Sequence, residues 1–166
     1  MKIHFFAFAA FAAFSTTAVS AADVIRHKIP NSDFPIAQAV EIPPGQTLVF
    51  LSGSGADIAD KTAAKDTFAA YGDTKAQTLN TLTKIDATLK SMGLSMKDVV
   101  KMQVFLVGDP ALDGKIDFAG FMDSYKKFFG TPDQPNLPAR SAMKVAGLAN
   151  PGWLVEIEVT AARAAK

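Results

Sequence analysis

One unit in the middle of the chain limits the available folds more than any other: a one-faced helix that ends in glycine and runs straight into an apolar strand. From Thr74 onward, Ala76, Leu79, Leu82, Ile85, Leu89 and Met92 recur at three- and four-residue steps, which puts them on one helical stripe. Thr74 and Gln77 stand at the spacing of a capping box, and Asp73 adds favourable charge at that end. Gly93 supplies the stop, where a left-handed residue is wanted. "DVVKMQVFLVGD" follows at once, β-branched and bounded by Asp98 and Gly108, and reads as a strand. A helix with one packed stripe beside such a strand has to lie on a sheet.

The flanking segments fill in that sheet. "AQAVEI" and "TLVFLSG" stand on either side of "PPGQ", a pattern that predicts a hairpin. "ADIADKTAAKDTFAAYG" is polar and Ala-rich with weak periodicity, and reads as a loop. A second helix carries Phe118, Phe121, Tyr125 and Phe128 on one stripe and stops at Gly130-Thr131-Pro132. After the Pro-rich "TPDQPNLPAR", two strands close the chain, around 139–145 and 154–162. The expected order is β-β-α-β-α-β-β, an α+β fold with a mixed sheet and both helices on one face. The strands look too apolar for the other face to meet water, so the pattern predicts oligomerisation.

The amino terminus stands outside this scheme. "MKIHFFAFAAFAAFSTTAVSAA" has one early cation, Lys2, an uncharged Phe/Ala run, and Val19-Ser20-Ala21 as a small-x-small cleavage pattern. Its apolar stretch is shorter than the about 20 residues that cross a bilayer. The reading is a secretory signal peptide over 1–21, a single domain over 22–166, and a periplasmic or secreted protein without stable membrane association. Removing the signal takes one lysine and no acid, so the formal charge of +1 falls to zero. That balance offers nothing to nucleic acid, which needs a dense basic patch. Cysteine is absent, and of two histidines His27 alone lies outside the signal, which argues against a metal centre or a Ser-His-Asp triad. No phosphate-cradling glycine loop is present either, since "SGSGAD" lacks the spacing and reads as a strand end and turn.

Charges inside the last two strands raise the question of a site. In "LVEIEV", Leu154, Glu156 and Glu158 share one side while Val155, Ile157 and Val159 share the other. On pattern alone these acids face water, and Arg140 is a surface charge or a partner for one of them.

The blocks "PIAQAV", "LVFLSG", "KAQTLNTLTKIDATLKSMGLSMKDVVKMQVFLV", "DFAGFMDSYKKFFG", "LPARSAMKVAGL" and "LVEIEVTAARA" add a further reading. In that order, from about Pro30 to Ala162, they resemble the RidA/YjgF family of reactive-intermediate deaminases. The resemblance implies a chorismate-mutase-like fold, a homotrimer with clefts between subunits, and cofactor-free hydrolysis of 2-imino acids or enamines to 2-keto acids and ammonia. It also implies roles. Arg140, of the "PAR" motif, would grip the substrate carboxylate with its planar fork. Glu156, the first acid of "VEIE", would hold the attacking water and move protons. Ala142 and Ile36 would line the substrate pocket, and Glu158 would stay a solvent-facing charge.

The chain departs from the family pattern at four positions. Ile36 stands where the family has tyrosine, Ala142 where it often has cysteine, and Met122 and Lys84 where asparagines are common. Loss of the phenol opens an alternative: a non-catalytic binding protein for small carboxylates or a protein partner. A ribonuclease, a label some relatives have carried, is disfavoured by the zero charge and the lack of a basic-aromatic stripe.

Overall fold

The computed structural model describes residues 23–164, so the signal-peptide reading over 1–21 lies outside the described residues. Eight main elements follow one another: β1 (Ile25–Lys28), β2 (Ala37–Glu41), β3 (Thr47–Gly55), α1 (Thr74–Ser91), β4 (Val99–Val107), α2 (Phe118–Tyr125), β5 (Ala139–Val145) and β6 (Val155–Arg163). They form the expected α+β architecture, a six-stranded mixed sheet in the order β1-β2-β5-β4-β6-β3. β5 runs parallel to β4 and β2, and the remaining pairs are antiparallel.

Both helices cover one face. Met102, Val104 and Leu106 of β4, with Val155, Ile157 and Val159 of β6, point into a core closed by Leu82, Ile85, Leu89, Phe121 and Tyr125. The opposite face carries Lys101, Gln103 and Phe105 of β4 across from Thr160, Glu158 and Glu156 of β6. Phe50 of β3 joins them, 75% exposed. The open face is thus mixed rather than apolar, because alternation sends the apolar halves of β4 and β6 to the helices.

Several local expectations are corrected. β2 and β3 form from the expected residues but do not pair; β2 pairs with β1, a strand the sequence did not suggest, and β3 lies at the far margin of the sheet. Two adjacent prolines, Pro43 and Pro44, remove donors that a tight hairpin would need. Arg26 of β1 instead ties the ribbon to the start of β4, donating to Lys97 O (3.0 Å) and Val99 O (3.1 Å). The cap of α1 is Asp73, not Thr74: the Asp73 carboxylate accepts from Ala76 N at 2.7 Å. Gln77 is buried, its side chain bonded to Gly72 O, Gly152 O and Leu154 N.

The packed face of α1 therefore runs through Thr74, Gln77, Thr78 and Thr81 before Leu82, Ile85 and Leu89, while Leu79 and Met92 are exposed. Small threonines let α2 approach closely, and Ser124 Oγ donates to Lys75 O at 2.8 Å. Gly93 ends the helix as expected, at φ +71. Leu94 N donates to Leu89 O and Gly93 N to Lys90 O, the two bonds of a Schellman cap. In the second helix the chain turns after Tyr125, so Phe129 rather than Phe128 enters the core. Its ring stacks on Tyr125 at 4.9 Å between centroids.

Candidate functional site

β5 begins where Pro138 hands over to Ala139. Ala37 N donates to Pro138 O at 3.0 Å, and Ala37 stands opposite Ala139, which brings β2 to the start of β5. Past that point β5 has β4 on one side and no partner strand on the other among the described residues. Arg140 is opposite Met102, a fully buried core residue, so its side chain points to the helix-covered face.

There it enters a box of aromatic rings. The guanidinium carbon lies 4.3 Å from the centre of the Tyr125 ring, 5.0 Å from Phe121, 5.6 Å from Phe34 and 5.9 Å from Phe118. Its Nη1 is buried without a hydrogen-bond partner, and among the described residues no carboxylate forms a salt bridge with it. Burial draws the guanidinium down from its ordinary value and the neighbouring Tyr125 opposes the shift, but arginine starts so high that it stays charged. Burial also pushes the Tyr125 phenol up to about 12, with Arg140 resisting. The Tyr125 hydroxyl donates to Pro35 O at 2.8 Å.

Two other expected site residues gather here. Ala142, opposite Val104, shares Arg140's face and is exposed. Ile36 immediately precedes β2, half-buried, in a tight turn whose Ile36 N donates to Phe34 O at 2.8 Å. Arg140 and Ala142 therefore lie on one face of the first half of β5, with Ile36 beside its start.

Glu156 does not join them. It pairs with Phe105 of β4 and Gly55 of β3, one register step off the core positions, and so belongs to the open face. The sheet bulges between Leu51 and Ser54, and the half-buried Glu156 carboxylate lies over Gly53 where a Cβ would otherwise stand. Gly55 is vacated in the same way for the Trp153 indole, whose Nε1 donates to Ala56 O at 3.0 Å. Glu158 is farther along the same face, in a 330 Å³ groove with Phe50, Lys101 and Gln103. β4 separates Arg140 from Glu156, and they face opposite ways, so the reading of Arg140 as a partner for one of the β6 acids is overturned within a chain. Leu154 also departs from expectation: it precedes β6 and turns into the core rather than sharing the acids' side.

The two remaining departures from the family pattern are structural. Lys84 donates to Gly55 O (2.9 Å) and pairs with Asp57 (2.6 Å), and Met122 is buried beneath α2. Among the described residues no group of three or more His, Asp or Glu side chains is arranged to hold a metal ion. The aromatic box and Gly53 were missed in the sequence. Phe118, Phe121 and Tyr125 read as a packing stripe with nothing to flag a cation, but a glycine inside an apolar strand is itself a sign of a bulge or close approach.

The family profile described as "Endoribonuclease L-PSP" matches residues 28–163. The chain belongs to that family. Curated members similar to it carry the RutC name. One from Haemophilus influenzae is 36% identical over 91 residues, covering 55% of this chain and 65% of that protein, just under two thirds of its length. One from Pyrococcus abyssi is 30% identical over 138 residues, covering 83% and 94%. Solved L-PSP/YjgF relatives have the same fold. A Rid-family protein of Yersinia pestis superposes with a TM-score of 0.61 at 23% identity, covering 83% of this chain and 98% of that one. Escherichia coli TdcF, solved with bound serine, superposes at 0.55 with 30% identity, covering 82% and 94%.

Proposed function

We propose that this L-PSP/YjgF chain hydrolyses 2-imino acids and their enamine tautomers to 2-keto acids and ammonia. The reaction needs no cofactor and occurs in clefts between subunits of a homotrimer, in the periplasm or outside the cell. The observation that carries the reading is Arg140: a largely buried cation with an unpartnered donor and no acid beside it. A carboxylate on a small ligand is the group that would complete it, through two parallel N–H bonds. TdcF, at 30% identity, holds serine, a small molecule with a carboxylate next to a nitrogen-bearing carbon.

Glu156 would supply the proton chemistry. Water held by its carboxylate adds to the imine carbon, giving up a proton to Glu156 as the C–O bond forms. Glu156 returns the proton to nitrogen, giving a carbon that bears both OH and NH2. It then takes the hydroxyl proton and passes it to the same nitrogen, so that the C–N bond breaks as the C=O forms and ammonia leaves. Such a group is worth about 10²–10⁴-fold. Because Arg140 and Glu156 face opposite ways in one chain, the cleft must take one from each of two copies. β3 at one margin and the side of β5 left free beyond its single pairing with β2 are the edges a head-to-tail ring would bring together. The backbone N–H of Ala142 would contact the ligand, and Ile36 would give an apolar wall suited to small aliphatic side chains.

The test uses the mature protein, iminopropanoate made in place by an amino-acid oxidase, and semicarbazide to trap surviving imine. Wild type lowers the trapped imine and Arg140→Ala does not; no lowering by wild type would overturn the reading.

A second reading, a binding protein for small carboxylates or a protein partner, is favoured by Ile36, which removes the family's phenol. The hydroxyl of Tyr125, whose ring lies against Arg140, is committed to Pro35 O. Stabilisation by 2-oxobutanoate with imine hydrolysis at background would select it. Ribonuclease activity, which the family's description names, gains no support from a chain whose aromatic rings enclose an arginine inside rather than lining a basic surface.

A further inference from the structure

The rings around Arg140 are of two kinds. Phe118, Phe121 and Tyr125 come from one stripe of α2, and their rings also pack in series, with 5.8 Å between Phe118 and Phe121 and 5.7 Å between Phe121 and Tyr125. They would be in place for the sake of the core whether or not a cation lay above them. Phe34 has no such reason. It comes from the segment between β1 and β2, stands outside the buried core and is 42% exposed, yet its ring faces the guanidinium at 5.6 Å. A large apolar ring left half in water needs another use for its position.

The segment that carries it is pinned. Tyr125 Oη donates to Pro35 O, Ile36 N donates to Phe34 O, and Phe34 N donates to Ser32 Oγ at 3.2 Å. Tyr125 thus does two things at once: its ring lies against the guanidinium and its hydroxyl fixes the next residue after Phe34. An aromatic face attracts a cation but accepts no directed hydrogen bond from it, so the rings steady the guanidinium while leaving its N–H groups unspent.

Resting on the carboxylate reading above, we propose that Phe34 is a positioning residue for the carboxylate subsite. It closes the aromatic box from the solvent side and holds the guanidinium plane so that its N–H edge faces the incoming anion. Ring contact with the cation, rather than apolar bulk, is what the position requires. Leucine would fill the space without the negatively charged ring face, and tyrosine would keep that face.

Calorimetric titration of 2-oxobutanoate into wild type and the Phe34→Ala, Phe34→Leu and Phe34→Tyr variants tests this. The alanine and leucine variants bind about two- to five-fold more weakly, the worth of a partly exposed cation–ring contact, and tyrosine stays within about two-fold of wild type. In the imine assay the same loss appears in KM rather than in kcat. Melting temperatures of the four proteins stay close, since Phe34 is outside the core. Leucine binding as tightly as wild type, or tyrosine as weakly as alanine, overturns the role of the ring. Wild-type binding with all variants alike removes this proposal alone; no binding of the 2-oxo acid by wild type removes the carboxylate reading and this proposal together.

Discussion

The two charged residues of the site are supported in opposite ways. Arg140 points into the helix-covered side of the sheet, where four rings surround it and no acid balances it. Glu156 projects from the open side, half-buried, over a glycine that makes room for it. An unpaired buried charge costs several kcal/mol, which cation–ring contacts worth about 0.5–2 kcal/mol each offset only in part. The arginine side is therefore built at the expense of stability and gains a cation that an anion can complete. The glutamate side costs little energy, because water reaches it; what it constrains is sequence, through the need for Gly53. Under the proposed reaction, anchoring an anion and shuttling a proton would call for these two different surroundings.

The sharpest way to break this comparison is to separate the halves. Arg140→Ala and Glu156→Gln are each expected to lose about a hundredfold or more of imine hydrolysis. If the cleft takes Arg140 from one copy and Glu156 from the next, unfolding the two dead variants together and refolding the mixture restores activity. In a ring of three mixed at random, about a quarter of the clefts regain both groups. Recovery near that fraction supports the shared cleft; none at all would mean that both groups serve within one chain.

Gly53 and Gly55 give a smaller and more local contrast. A methyl group at either would collide with a side chain, but the obstacles differ. Over Gly53 it is the carboxylate end of Glu156, which can swing aside, so Gly53→Ala should cost less than about 1 kcal/mol of stability while lowering turnover about tenfold by displacing the base. Over Gly55 it is the Trp153 indole, held by its bond to Ala56 O and packed on Ala56, Ala70 and Tyr71. Gly55→Ala should destabilise by about 1–3 kcal/mol. Urea unfolding set beside the imine assay separates the two, and a Gly53→Ala variant with wild-type turnover would show that the seat of Glu156 is dispensable.

How much of this could be read from the sequence depended on whether a feature repeats. The helices, β4, and the last two strands were legible because stripes and alternation recur over many residues. The pairing of β2 was not, since a turn with two prolines says what cannot form and leaves the partner open. Arg140 and Glu156 were singled out by resemblance, and alternation put Glu156 with Glu158 on one side of β6. That Arg140 faces the other side was hidden, because the face of β5 depends on its parallel register with β4, which no local pattern encodes. Phe34 and Tyr125 were invisible as site residues for a similar reason: Phe34 and Arg140 stand far apart in the chain, and only the fold joins them.

Tyr125 is the subtlest lever on the arginine side. Its phenol, ordinarily near 10, is raised to about 12, mainly by burial. For an acid raised in this way the folded protein favours the protonated form, so its contribution is whole below about pH 10. It is then lost as pH climbs toward 12, because the unfolded chain gives up its proton first. A shift of this size corresponds to about 3 kcal/mol across that window. Tyr125→Phe keeps the ring over Arg140 and removes the hydroxyl, so it should flatten the alkaline fall while costing about 1 kcal/mol at neutral pH, where Pro35 O loses its donor. Glu156→Gln, on the other face, should leave the alkaline fall intact. Urea midpoints from pH 7 to 11 for the three proteins decide the matter: parallel curves for wild type and Tyr125→Phe would mean that the phenol ionises alike in the folded and unfolded chains, and that the box around Arg140 is wetter than its geometry suggests.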